Sequence, residues 1–279
     1  MTGLLALALL VVAYVFGAYS FALDLWPIHV LRNAKRSAIG QTELATRFDS
    51  FGRLTGWGGK TEIACPVQDD RTAVVLFIGQ SNQANNAGQR AESQFGESVA
   101  AWFDGKCTVA ASPLLGTTGA MGEPLTPFAN KLVAQGVFDR VVLVPSAIGG
   151  TKIERWTKGG DLNAMMMRAL DELQKNYRIT HVVWHQGEDD FRQETSPDSY
   201  GRMFNEMVET LRRRNVGAPI LVSVATRCDD DSKWSSDNPI ARAQRVLVDE
   251  SRGIFAGVDT DELLMELCRK LGDGMKKAA

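Results

Sequence analysis

Five consecutive apolar residues, Val74, Val75, Leu76, Phe77 and Ile78, leave no face of the chain to turn toward water. A strand of this kind has to be covered on both sides, and an open parallel sheet with helices on both faces supplies that cover. Gly79, Gln80, Ser81 and Asn82 follow at once. They place a hydroxyl at the carboxyl end of the strand, the edge at which open parallel sheets hold their ligands.

The rest of the chain repeats the pattern. Strand-like stretches are expected at Ala73 to Ile78, Arg140 to Pro145, His181 to His185 and Pro219 to Ala225, with a weaker one at Gly253 to Val258. Helices are expected at Pro127 to Gln135, Asp161 to Tyr177, Pro197 to Asn215, Pro239 to Ser251 and Asp261 to Leu271, with Ser196 and Asn238 as caps before Pro197 and Pro239. Alternating strand and helix predicts an α/β domain whose parallel strands, joined by right-handed crossovers, end on one shared edge.

Ahead of this domain, the uncharged run from Gly3 to Leu23 would span about 31 Å as a helix, the thickness of a bilayer core. The expected organisation is an anchor or uncleaved signal over 1–23, a juxtamembrane linker and lead-in over 24–70, and the catalytic-type domain over 71–279. Orientation is pulled two ways. Arg32, Lys35 and Arg36 after the span favour a cytoplasmic domain. Cys65, Cys107, Cys228 and Cys268, an even number without metal spacing, suit two disulfides in an oxidising compartment, and equally suit four buried thiols. A membrane-anchored, extracytoplasmic domain is expected.

A net charge of −2 gives no electrostatic footprint for nucleic acid. No phosphate-cradling glycine motif follows any strand, and no metal or organic cofactor is expected. Asp229 to Asp231 read as a solvated turn, and Met165 to Met167 as core.

Three segments that follow strands stand out. In the first, Ser81 is either a nucleophile at a turn rich in unpaired amides or a capping serine. In the second, Gly149 and Gly150 either bring a bare backbone amide up to a substrate oxygen or make a tight turn. In the third, Gln186 offers a neutral amide donor, while Glu188, Asp189 and Asp190 read equally as a solvated acidic loop. Together the three would form an acyl-transfer site. Trp156, Trp184 and Trp234 would stack on a sugar or pack in the core.

GQSN after one strand, GGT followed by Trp156, and WHQGE after a further strand resemble, over residues 72 to 260, the signature blocks of SGNH hydrolases, in particular the sialate O-acetylesterase and carbohydrate esterase family 6 branch. The resemblance implies a three-layer α/β/α sandwich with a parallel, flavodoxin-like sheet, and hydrolysis of acetyl esters, usually on carbohydrate. By the same resemblance Ser81 is the nucleophile; its own amide, one of Gly149 or Gly150, and Gln186 hold the oxyanion. Glu188 is a hydrogen-bonding residue near the site, and Gln80, Asn82 and Trp156 belong to the binding surface.

The family closes with a DxxH block whose aspartate orients the histidine that takes the serine's proton. Here Asp273 is followed by Gly274, Met275 and Lys276, with lysine where the imidazole belongs. Asp273 would stabilise the charged lysine, which works against a base. The three histidines are His29, His181 and His185. His185 should face away from Gln186 because side chains alternate along a strand, and His181 lies about 13 Å back. Loss of a triad histidine costs on the order of 10⁶ in kcat. The expectation is an acetylesterase-type domain, apparently truncated or altered at its carboxyl end, with impaired activity. The alternative is a noncatalytic carbohydrate-binding or scaffold protein at the membrane.

Overall fold

The structure, a computed structural model, describes residues 46–227 and 234–262. The 1–23 run, His29, Cys228, Asp229 to Asp231, Cys268, Asp273 and Lys276 lie outside the described residues. Among the described residues no helix is long and apolar enough to cross a membrane. Two compact units divide the chain: 1–47 with 56–58, and 48–55 with 59–279. In the first, the described residues are 46–47 and 56–58; everything below concerns the second.

Its strands are β1 (Glu62–Ile63), β2 (Thr72–Gly79), β3 (Val99–Phe103), β4 (Lys106–Val109), β5 (Arg140–Pro145), β6 (His181–His185), β7 (Ile220–Val224) and β8 (Ile254–Asp259). They form one sheet in the order β8-β7-β6-β2-β5-β3-β4-β1. The helices are α1 (Leu125–Ala134), α2 (Asp161–Leu173), α3 (Glu188–Arg192), α4 (Pro197–Arg213) and α5 (Pro239–Val246).

The apolar run behaves as its composition requires. Val74, Leu76 and Ile78 of β2 pack into one core with Leu162 and Leu170 of α2, Phe204 and Leu211 of α4 and Ile240 of α5. Ala73, Val75 and Phe77 point the other way, into a second core with Leu125 and Ala129 of α1. Helices therefore cover both faces, and each fully buried Leu, Ile or Phe contributes roughly 1.5 to 3 kcal/mol. Ser196 caps α4 by accepting from Ser199 N, and Asn238 caps α5 by accepting from Ala241 N at 2.9 Å.

The sheet is mixed rather than wholly parallel. β3 and β4 form an antiparallel hairpin, and β1 pairs antiparallel with β4. The hairpin turns at Asp104 and Gly105, with φ of 50° and 77°. That pair of left-handed residues is the turn whose twist matches antiparallel strands. The Cys65–Cys107 disulfide ties this edge to the segment before β2. Residues 62–65 thus belong to the domain's sheet edge, ahead of the expected boundary at 71.

The connections set up the site. From β2 the chain runs out to the hairpin and α1 and returns as β5 on one side of β2. It then crosses over through α2 to β6 on the other side. Chains leaving two neighbouring strands in opposite directions open a crevice at the carboxyl edge. The register aligns that edge, with Phe77 opposite Pro145 and Gly79 opposite His185.

Candidate active site

Gly79 closes β2 against β6 so tightly that no side chain fits. A Cβ there would lie 2.0 Å from His185 O and 2.7 Å from His185 C. The adjoining amides lock the contact: Gln80 N donates to His185 O at 3.1 Å, and Ile148 N donates to Gly79 O at 2.9 Å. The first and third segments are thereby joined at their roots.

Ser81 opens a short 3₁₀ turn, Ser81–Gln83, whose cap position is Gln80. The Ser81 hydroxyl is not the cap of this turn. Ser81 is half-buried; its carbonyl accepts from Ala84 N and Asn86 Nδ2, both at 3.0 Å. Its own N–H has no acceptor among the described residues.

The glycine turn comes to Ser81. A methyl on Gly149 would sit 3.6 Å from Ser81 Cβ and 3.3 Å from Thr118 Oγ1. Gly149 N donates to that Thr118 hydroxyl at 2.9 Å. Gly150 takes φ +65°, the left-handed conformation glycine adopts freely, and its N–H is left without an acceptor among the described residues.

Gln186 is fully buried, and its Nε2 donates to Thr151 O at 2.8 Å and Asp190 Oδ2 at 2.5 Å, with Gln80 Oε1 at 3.3 Å. An amide nitrogen has two hydrogens, so both are engaged, and Oε1 is buried without a partner. Gln186 joins the three segments, but in this state it presents no unengaged N–H to an oxyanion. Asp190 Oδ2 also accepts from Ile153 N at 2.8 Å, binding the third segment to the second.

The acidic residues do not form a solvated loop. Glu188 and Asp190 are buried on α3. Glu188 accepts from Asn82 Nδ2 at 2.7 Å and from Gly187 N at 3.0 Å, which braces the Ser81 turn from beneath. Asp261, two residues beyond β8, accepts from Thr226 N, Thr226 Oγ1 and Arg227 N. Burial, with the Asp261 charge nearby, pushes the Glu188 carboxyl up to about 8. Burial pushes His185 down to about 4, against a weaker opposing pull from Asp261.

These two shifts give opposite pH dependences. Glu188 keeps its proton in the fold up to about pH 8 but ionises near 4.5 ordinarily. The folded state then holds the extra proton, and stability falls as pH rises between those values. His185 stays neutral in the fold down to about pH 4, against 6.5 ordinarily. Its contribution is present above 6.5 and lost as pH falls toward 4. The windows overlap below 6.5 and separate above it. From pH 6.5 to 8 stability should fall by roughly 1 kcal/mol, and the fall should vanish in Glu188→Gln. Urea unfolding at the two pH values checks this, and a flat wild-type response would contradict it.

Several expected residues have other duties. Trp156 is wholly buried, donates to Thr151 Oγ1 at 3.3 Å and meets Trp184 edge to face. It is closed to a sugar because the second segment folds its indole into the core. Gln80 and Glu188 are likewise buried, so they support the site from within rather than contact a ligand. His185 Nε2 pairs with Thr260 Oγ1 at 2.9 Å, and His181 Nδ1 with Thr180 Oγ1 at 2.9 Å. Both imidazoles are structural. Nothing in the sequence singles out Thr118, which reaches Gly149 from a loop distant in the chain. Asp190 lies in the third segment, on α3 just beyond Gln186.

The chain is similar to known proteins over this region. A family model described as "Carbohydrate esterase, sialic acid-specific acetylesterase" matches residues 71–265. A curated relative named "Probable carbohydrate esterase", from Arabidopsis thaliana, is 35% identical over 92 residues, 32% of this chain and 35% of the relative. The matched stretch thus spans about a third of that relative's length. A solved Arabidopsis thaliana structure aligns with a TM-score of 0.53 at 22% identity, over 67% of this chain and 85% of its own, a likeness of fold. A carbohydrate acetylesterase from Xanthomonas citri aligns with a TM-score of 0.42 at 19% identity, over 67% of this chain and 49% of its own.

Proposed function

We infer, from the premise that this chain belongs to the carbohydrate esterase, sialic acid-specific acetylesterase family, that the crevice at Ser81 is built to cleave acetyl esters of carbohydrate. On this reading β2, β5, β6, β7 and β8 make the flavodoxin-like order of a three-layer α/β/α sandwich, and the crevice is its switch point. Ser81 Oγ bonds to the acetyl carbon as its proton passes to solvent water, while the carbonyl oxygen gathers charge. The Ser81 N–H and the amides of the Gly149–Gly150 turn take that charge, Gly150 N without rearrangement and Gly149 N by leaving Thr118 Oγ1. The bond to the sugar oxygen then breaks as that oxygen takes a proton from solvent, and in a second step water adds to the acetyl carbon, leaving acetate and returning a proton to Ser81 Oγ. Asn82 and Glu188 hold the turn, and Gln186 holds the segments together. Asp273 keeps its assignment as the aspartate of the closing block, with no histidine to orient.

The observation that carries this reading is the approach of Gly149 to Ser81, which leaves an alcohol and unpaired amides on one rim. Among the described residues no imidazole is free to take the proton of Ser81, since His181 and His185 are bonded elsewhere. That favours impaired turnover, and it is also the observation that favours a noncatalytic carbohydrate-binding protein as the second reading. The Cys65–Cys107 disulfide supports an extracytoplasmic, oxidising location.

Acetate release from an O-acetylated sugar, by the chain and by Ser81→Ala, separates the two. A Ser81-dependent rate is expected, low because no described residue supplies the general-base help worth about 10² to 10⁴. Equal rates with sugar binding retained would replace the esterase by the binding protein.

A further inference from the structure

Both hydrogens of the Gln186 amide are taken by Asp190 Oδ2 and Thr151 O, so that side chain offers nothing to a charged oxygen at Ser81. A hydroxyl lies beside the glycine turn instead. Thr118 Oγ1 accepts from Gly149 N at 2.9 Å and sits 3.3 Å from the point a methyl on Gly149 would occupy. Ser81 Cβ and Cα lie 3.6 and 3.8 Å from that same point. A hydroxyl donates as well as accepts. The Thr118 hydrogen has no acceptor among the described residues, and Thr118 is only half-buried.

We propose that Thr118 is a further catalytic residue of the Ser81 crevice, its hydroxyl donating to the oxygen that gathers charge, in place of Gln186. The proposal rests on the esterase reading above.

The loop that carries Thr118 is bonded to the first segment and to the second. Thr118 N donates to Ala147 O at 3.1 Å, just before Gly149, and Thr118 O accepts from Asn85 N at 2.9 Å, on the loop that leaves Ser81. Gly119, at φ +82°, lies so close to that loop that a Cβ would fall 2.4 Å from Asn85 O. The direction of the hydroxyl is set as well. A methyl on Gly52 would meet Thr118 Cγ2 at 3.6 Å, so one arm of the threonine faces Gly52 while the other faces Gly149. Both arms leave one carbon, and packing the methyl therefore aims the oxygen. At rest the hydroxyl takes the anion's part, as acceptor for Gly149 N. When that amide turns to the substrate oxygen, the hydroxyl loses its donor and swings its own hydrogen to the same atom. Rotation about one bond suffices, which keeps reorganisation small as charge develops.

The test titrates the full chain with methaneboronic acid, following boron and backbone amide resonances. Ser81 Oγ bonds to boron, its proton passes to solvent water, and boron takes a negative charge on a tetrahedral centre like that of the acetyl carbon. No group departs, so the affinity of the adduct does not depend on turnover. The chain should form the adduct and Ser81→Ala should not. Thr118→Val should weaken it about ten- to hundredfold, and Thr118→Ser by less than about threefold. Thr118→Ala carries the comparison should the valine variant not fold. If Thr118 only held Gly149 N at rest, removing its hydroxyl would free that amide and tighten the adduct. No adduct, an equal or tighter adduct in Thr118→Val, or a loss in Thr118→Ser as large as in Thr118→Val would each overturn the proposal. An adduct that forms and is weakened by Thr118→Val, with no acetate release from an O-acetylated sugar, would count against the esterase reading alone.

Discussion

Replacing Gly79 with alanine is expected to destabilise the chain by about 3 kcal/mol or more, a cost at the upper end for a single methyl group. The reason is local and severe. The new Cβ would fall 2.0 Å from His185 O, and that carbonyl cannot retreat without breaking its bond from Gln80 N. The obstacle is backbone on both sides, so no rotamer relieves it. Separating β2 from β6 at this point also moves Ser81 away from the segment that begins with Gln186. By contrast, a methyl at Gly149 meets nothing nearer than Thr118 Oγ1 at 3.3 Å, so Gly149→Ala should fold with a far smaller loss. Urea unfolding measures both. The midpoint of Gly79→Ala should drop with little change in slope; a loss under about 0.5 kcal/mol, ordinary for a surface change, would contradict the account.

Much of this architecture is legible in the residues because burial on two faces needs uninterrupted apolar runs. Arg140–Pro145 and His181–His185 fall where the sequence places them. The proline-led starts of α4 and α5 follow from their caps. The β3–β4 hairpin escaped for want of a long apolar run, although Asp104-Gly105 between two strand-like stretches is a strong turn signal. Trp156 illustrates a different limit. A tryptophan close to a functional block looks the same whether its ring faces a ligand or the core, and here a hydrogen bond to Thr151 turns it inward.

Acidic residues show the limit most clearly. Glu188, Asp189 and Asp190 form a run that reads as solvated, yet two of the three are buried. Their burial depends on donors elsewhere: Asn82 Nδ2 for Glu188 and Ile153 N for Asp190. Such partners exist only after the sheet has brought distant segments to one edge. The same holds for Gln186. Its block is recognisable, but the engagement of both amide hydrogens depends on Thr151 and Asp190 together.

The second large effect concerns the proton of Ser81. If the rim is a working oxyanion pocket lacking only its base, a small base supplied from solution should restore part of the missing catalysis. Imidazole fits this role, since no described residue supplies a free imidazole at the site and Ser81 is only half-buried. A positioned base contributes about 10² to 10⁴ in rate. A diffusing one is held less well, so a gain on the order of 10² is expected at high imidazole concentration. The gain should follow the free-base form, rising as pH passes about 7. The substrate should be an O-acetylated sugar, because imidazole alone cleaves activated aryl esters.

The decisive measurement is therefore acetate release from an O-acetylated sugar against imidazole concentration, for the chain and for Ser81→Ala in parallel. The account predicts a rate that climbs with imidazole in the chain and stays at the solution background in Ser81→Ala. Identical imidazole dependence in the two proteins would show that Ser81 faces no acyl-transfer pocket, and the account would fail.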